Sequence, residues 1–82
     1  MRKSEASFKE GFVNRASVRS RDIAIVGYDD DTSTLEIAFR SGGVYRYWDV
    51  PRDVYVSLMS SPSHGIYFSR NIRRNFAFAK VR

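Results

Sequence analysis

The chain contains no cysteine. That excludes disulfides, thiolate nucleophiles and every zinc site built on sulfur. A single histidine, His64, excludes a metal site needing two imidazoles and any pair of catalytic imidazoles. No metal and no cofactor is expected. No apolar run approaches the roughly 20 residues of a membrane span. The basic start Met1-Arg2-Lys3-Ser4-Glu5 lacks the apolar stretch of a signal peptide. The expected location is therefore the cytoplasm, without a membrane partner. At 82 residues there is room for one small domain. A chain of this size buries only roughly 60% of its unfolded surface, so its stability margin is thin.

What is present is charge, unevenly placed. Fourteen basic residues face nine acidic ones, for a net charge of +5. Residues 1–62 hold nine of each sign, so the whole excess sits in the last 20 residues, on Arg70, Arg73, Arg74, Lys80 and Arg82. Eleven of the fourteen cations are arginine, whose planar fork matches phosphate bidentately and stacks on bases. A local basic excess with aromatics nearby is the footprint of a nucleic-acid binder, and equally of a solvated surface.

Residues 1–16 are polar and mixed in charge. Phe8, Phe12 and Val13 fall at helical spacing, but Gly11 weakens a helix. The segment reads as an N-terminal arm or a short helix, with the domain occupying 17–82. Ile23–Tyr28 is a short apolar run, a strand buried on both faces. Asp29-Asp30-Asp31-Thr32-Ser33 lacks the Gly and final Glu of a calcium loop and reads as a turn. Thr34–Arg40 alternates, with Leu35, Ile37 and Phe39 on one face: a strand with one buried side. Ser41-Gly42-Gly43 forms a hairpin loop, and Val44–Val50 returns.

The length of that loop decides where Tyr45 and Tyr47 point. A three-residue loop pairs Phe39 with Tyr45 and Ile37 with Tyr47, which puts both tyrosines on the core face. A two-residue loop puts them on the outer face, because a one-residue slip flips every side chain. The three-residue loop aligns apolar with apolar and is preferred. Trp48 then lies opposite, with Arg46 and Val44, either as a stacking surface or under Phe8 or Phe12 of the arm.

Val50-Pro51 opens a helix, with Pro at its first position. Val54, Tyr55, Leu58 and Met59 form its apolar stripe, and Ser60-Ser61-Pro62 ends it. Ser63 caps a second helix running to about Arg74, with Ile66, Tyr67 and Ile72 inward. The alternation of Phe76, Phe78 and Lys80 with Ala77, Ala79 and Val81 marks a last strand. The fold class is α+β, a small mainly antiparallel sheet in the order β-β-β-α-α-β with two short helices packed on it.

Together these residues resemble the KTSC domain family. The resemblance rests on Val26-Gly27-Tyr28-Asp29, on Leu35 to Val44, on the Tyr45-x-Tyr47 signature, on Asp49-Val50-Pro51, and on Ser63-His64-Gly65 to Ile72-Arg73. It covers about Val18 to Val81. The family is named for its place at the C-terminus of some lysyl-tRNA synthetases and also occurs alone in bacterial and phage proteins. It implies this fold and, through the fusion to a tRNA-charging enzyme, RNA as a ligand. Ser69 follows Phe68 where the family pattern has Asn, so a role for that amide does not carry over.

Catalysis requires a nucleophile, a base and a stabiliser converging on one point, and the inventory here is thin. Ser63 and His64 are sequence neighbours, which rarely face each other across a site, and no enzyme is expected. Arg70, Arg73 and Arg74 are spaced to share a helical face, and Asn71 offers both donor and acceptor. The helix start at Ser63, His64 and Gly65 would seat a phosphate. Arg40 and Arg46 would extend the basic surface from the hairpin. Tyr45 and Tyr47 serve either as core or as stacking platforms. Two functions follow. One is a nucleic-acid (RNA) binding module acting through the basic C-terminal helix surface. The other is a module for a protein partner or a small phosphorylated ligand such as a nucleotide, with a homo-oligomer as one form.

Overall fold

A computed structural model describes residues 15–82 of the chain. The expected arm and its Phe8, Phe12 and Val13 fall almost entirely outside the described residues. Five strands run in sheet order β1-β2-β3-β4-β5, all neighbours antiparallel. They are β1 (Ala16–Ser17), β2 (Ile23–Asp29), β3 (Thr34–Phe39), β4 (Val44–Tyr47) and β5 (Phe78–Lys80). Helices α1 (Arg52–Ser60) and α2 (His64–Asn71) lie between β4 and β5 in the chain. The observed order is therefore β-β-β-β-α-α-β. The α+β class and the antiparallel sheet match expectation. The additional strand is β1, whose two residues carry too little pattern to be read from sequence.

Strand β2 corrects the reading of a run buried on both faces. A bulge between Ile23 and Ile25 shifts its register against β3. The bulge lets Ile23, Val26 and Tyr28 all point into the core, although their spacing is not a strict alternation. Ile25 stays exposed on the other side.

The hairpin is corrected in register but not in face. Ile37 pairs with Tyr45 and Leu35 with Tyr47, a shift from the expected Phe39–Tyr45 and Ile37–Tyr47 pairs. The reason is that the turn starts one residue early. The Gly42 N–H donates to the Phe39 carbonyl (3.0 Å) and the Phe39 N–H donates to the Gly43 carbonyl (3.1 Å). Gly42 and Gly43 hold φ of 105° and 90°, values open to glycine and strained for other residues. The shift moves each partner by two, so both tyrosines still face the core.

The core is formed by Val26, Tyr28, Leu35, Ile37 and Tyr47 from the sheet, covered by Val50, Leu58, Phe68 and Ile72. Val54, Tyr55 and Met59 complete the expected stripe of α1. Pro51 sits just before the helix rather than in its first position, with its carbonyl accepting the Val54 N–H. The Tyr28 ring stacks on Tyr55 at 4.6 Å, and its hydroxyl donates to the buried Val50 carbonyl at 2.5 Å. This bond ties the second strand to the entry of the helical layer. Helix α2 ends at Asn71, three residues short of the expected Arg74. Ile72 turns into the core as its C-cap, and the chain breaks into turns through Asn75.

The outer face is polar at its centre. Glu36 is only 6% exposed. It accepts from Arg15 (2.9 Å) and from its cross-strand partner Arg46 (3.1 Å), and paired guanidinium groups are what makes a buried carboxylate tolerable.

Replacing Tyr28 by Phe keeps the ring on Tyr55 and removes the donor to Val50. The expected loss in a urea unfolding series is about 1–3 kcal/mol, the cost of leaving a buried carbonyl unpaired. An unchanged midpoint would show that the bond contributes nothing.

Candidate functional site

The residues expected to bind divide into two groups. The first is engaged in holding the fold. Arg40 donates from Nε to the Ser20 carbonyl (2.7 Å) and from Nη2 to the Val18 carbonyl (2.9 Å), clamping the segment before β2 to the hairpin. Arg46 is bound to Glu36 on the outer face. Ser63 caps α2 as expected, its Oγ accepting the Ile66 N–H at 3.2 Å. His64 Nδ1 donates to the Leu58 carbonyl at 2.9 Å. A carbonyl only accepts, so the proton is on Nδ1 and the ring joins the end of α1 to the start of α2. Asn71 donates to the Tyr67 carbonyl and accepts Asn75 on its own carbonyl, so its amide closes the helix end.

The second group is exposed. Arg70, Arg73 and Arg74 are all on the surface, and among the described residues no carboxylate lies within ion-pair distance of them. Pairing with the Asp29–Asp31 turn does not occur. Asp29 caps its own turn through Asp31 N–H, and Asp30 bonds Arg52. Arg70 lies on α2, whereas Arg73 and Arg74 lie on the turn beyond it, so the three do not share one helical face.

Beside this surface opens a cleft of about 600 Å³ that sequence reasoning did not anticipate. The strand β4, the start of β5, α2, the hairpin tip and the segment before β2 enclose it. Five aromatic rings line it, and their contacts form a closed circuit. Phe39 meets Tyr45 edge-on at 5.6 Å and Phe68 at 5.5 Å. Phe68 meets Tyr47 at 5.4 Å, Tyr47 stacks on Phe78 at 5.4 Å, and Phe78 returns to Tyr45 at 6.2 Å. The pairing of Tyr45 with Lys80 and Tyr47 with Phe78 across β4 and β5 puts these rings on one face. Arg73, Arg21 and Asp22 stand at the cleft with Gly65. A Cβ at Gly65 would lie 3.5 Å from the Asp22 carboxylate, an ordinary contact, so the approach of α2 to this segment does not depend on glycine.

Tyr45 and Tyr47 therefore belong to the core face and also line the cleft. Tyr47 is only 3% exposed. Among the described residues its hydroxyl has no hydrogen-bond partner. Burial first, and then neighbouring Tyr45, push its pKa from 10.0 up to about 12, while Arg73 pulls the other way. Phe78, by contrast, is 52% exposed. Arg21, Asp22 and Phe39 at the cleft were missed as site candidates, and so were Phe68 and Phe78. Their aromatic type beside the basic segment was the available signal.

A KTSC domain profile matches residues 19–76. The chain belongs to the KTSC domain family. Its fold is similar to the crystal structure of a KTSC domain protein from Yersinia pestis, with a TM-score of 0.81 and 38% identity, covering 83% of this chain and 96% of that one. A lysine–tRNA ligase of Nostoc punctiforme is 41% identical over 54 residues, 66% of this chain. The match spans only 10% of the ligase's own length. An uncharacterized protein of Stutzerimonas stutzeri is 34% identical over 71% of this chain and 82% of its own. The KTSC domain thus occurs both as a small single-domain protein and as part of a ligase. Among the described residues no helix is long and apolar enough to cross a membrane.

The raised Tyr47 value sets a pH window. The folded KTSC domain holds the phenol proton more tightly than the unfolded chain does, so the resulting stability is complete below pH 10 and is lost as pH rises through about 12. Urea midpoints measured across this range should fall more steeply for the wild type than for Tyr47→Phe. Parallel profiles would show that burial does not hold the proton.

Proposed function

We propose that this KTSC domain is a non-enzymatic module that binds single-stranded RNA through its C-terminal basic surface and the adjoining cleft. The observation that carries the reading is the set Arg70, Arg73 and Arg74, exposed and with no carboxylate in ion-pair reach among the described residues, of which Arg73 lines an aromatic cleft. Guanidinium groups supply phosphate contacts, and aromatic rings supply sequence-tolerant stacking. The acids Asp29, Asp30 and Asp31 lie at the β2–β3 turn, the opposite end of β3 from the hairpin tip that borders the cleft. This polarity orients a polyanion toward the cleft side. The Nostoc punctiforme relative, which joins lysine to tRNA, supports RNA as the polymer. Arg40, Arg46, Ser63 and His64 act in this reading by holding the segments that shape the surface.

Replacing Arg70 and Arg74 together by Ala should weaken binding of a short mixed-sequence RNA about equally for every sequence. It should also lower the slope of log K against log salt by about 1.4, since each phosphate contact on a single strand contributes roughly 0.7. Fluorescence anisotropy at several salt concentrations checks this, with circular dichroism to confirm folding. An unchanged slope would remove this surface from the interface.

A further inference from the structure

We propose that the cleft is a binding site for a single nucleotide unit, its base against the open Phe78 ring of the aromatic circuit and its phosphate on Arg73 and Arg21. The inference deepens the RNA reading and rests on it only for the source of the nucleotide.

Three observations converge on this chemistry. The first is shape: a cleft of about 600 Å³ falls in the usual range of small-molecule sites, and a nucleotide fits within it. The second is the circuit itself. A fully packed core would cover all five rings, yet Phe78 keeps half its surface open at the cleft while stacked on Tyr47. An open aromatic face on a site wall is a platform for another planar ring. The third is the Tyr47 hydroxyl, buried and without a hydrogen-bond partner among the described residues, in a side chain that lines the cleft. Buried polar groups in native proteins are almost always paired. A base edge or a ribose hydroxyl would supply the missing acceptor.

Charge decides between the two ligands that aromatic walls attract. A ring-lined cage also suits a quaternary ammonium group. Here Arg21 and Arg73 outnumber Asp22 at the cleft, and Lys80 lies next to it, opposite Tyr45 across the strands. A cation would be repelled and an anion drawn in. The favoured ligand is an aromatic ring bearing a negative group, which is a nucleotide, either free or as one unstacked unit of a strand. A duplex offers no unstacked base and cannot fill the site.

The test titrates isotope-labelled protein with adenosine 5′-monophosphate, with ribose 5-phosphate, with a single-stranded RNA octamer and with a blunt RNA duplex of equal length. The readout is the shifts of Tyr45, Tyr47, Arg73 and Phe78. Base-bearing ligands should move these signals, with the octamer favoured over the duplex, and ribose 5-phosphate should bind at least roughly tenfold more weakly than the monophosphate. Phe78→Ala, at an exposed position, should weaken octamer and monophosphate binding roughly tenfold. Tyr47→Phe serves as the control for folding: it should weaken binding while leaving the thermal midpoint unchanged or raised, because the hydroxyl it removes has no partner to lose. Equal binding of octamer and duplex, with neither Phe78→Ala nor Tyr47→Phe affecting it, would overturn the cleft inference and leave the RNA surface standing. Saturable monophosphate binding at the cleft without octamer binding would uphold the inference and remove RNA as the source. Silence of the four cleft signals with every ligand would overturn it outright.

Discussion

The pairing of β3 with β4 is the constraint on which the rest of the molecule depends. Setting Ile37 against Tyr45 and Leu35 against Tyr47 puts two phenol rings on the helix-covered face. The same register sets Glu36 against Arg46 on the other face, so one alignment serves an apolar layer and an ion pair at once. A slip of β4 by one residue would turn the tyrosines to the outer face and drive Arg46 into the core, away from Glu36. Burying that charge among Leu58, Phe68 and Ile72 would be far costlier than any loop strain. The two glycines of the hairpin tip let the turn close at the position this register needs.

From that alignment the cleft follows. Tyr45 and Tyr47 form one wall, β5 adds Phe78 alongside them, and α2 lays Phe68 across the top with Phe39. Helix α2 is positioned by contacts at its start: Ser63 caps it and His64 ties it to the end of α1. The segment before β2 is positioned by Arg40. The side chains that read as binding residues in the sequence thus include several whose work is to hold the frame. Of the arginines left for solvent, Arg21 and Arg73 stand where the frame opens.

Much of this was legible in advance. Alternation over Thr34–Phe39 and the Gly-rich turn identified the hairpin, and the Val54–Met59 stripe identified α1. The pairing preference of apolar for apolar placed both tyrosines on the core face even though the turn position was off by one. The bulge in β2 was hidden, because an inserted residue and a doubly buried strand produce the same apolar run. The end of α2 was hidden too. Ile72 leaves the helix to reach the core, and helical spacing alone carries Arg73 and Arg74 onward. The roles of Arg40 and Arg46 were not legible because an arginine that holds a carbonyl and one that awaits a phosphate are written with the same letter.

By itself the sequence determined most of the secondary elements, the faces of the β3–β4 hairpin and the concentration of positive charge in the last segment. These are local properties, set by periodicity, turn chemistry and residue type. Only the tertiary structure decided that Arg21 and Arg73 meet Tyr45, Tyr47 and Phe78 around one opening. Those residues come from separate elements, and their meeting depends on where β5 pairs and how α2 lies. Packing, not pattern, turned a signature of two tyrosines into the wall of a cleft.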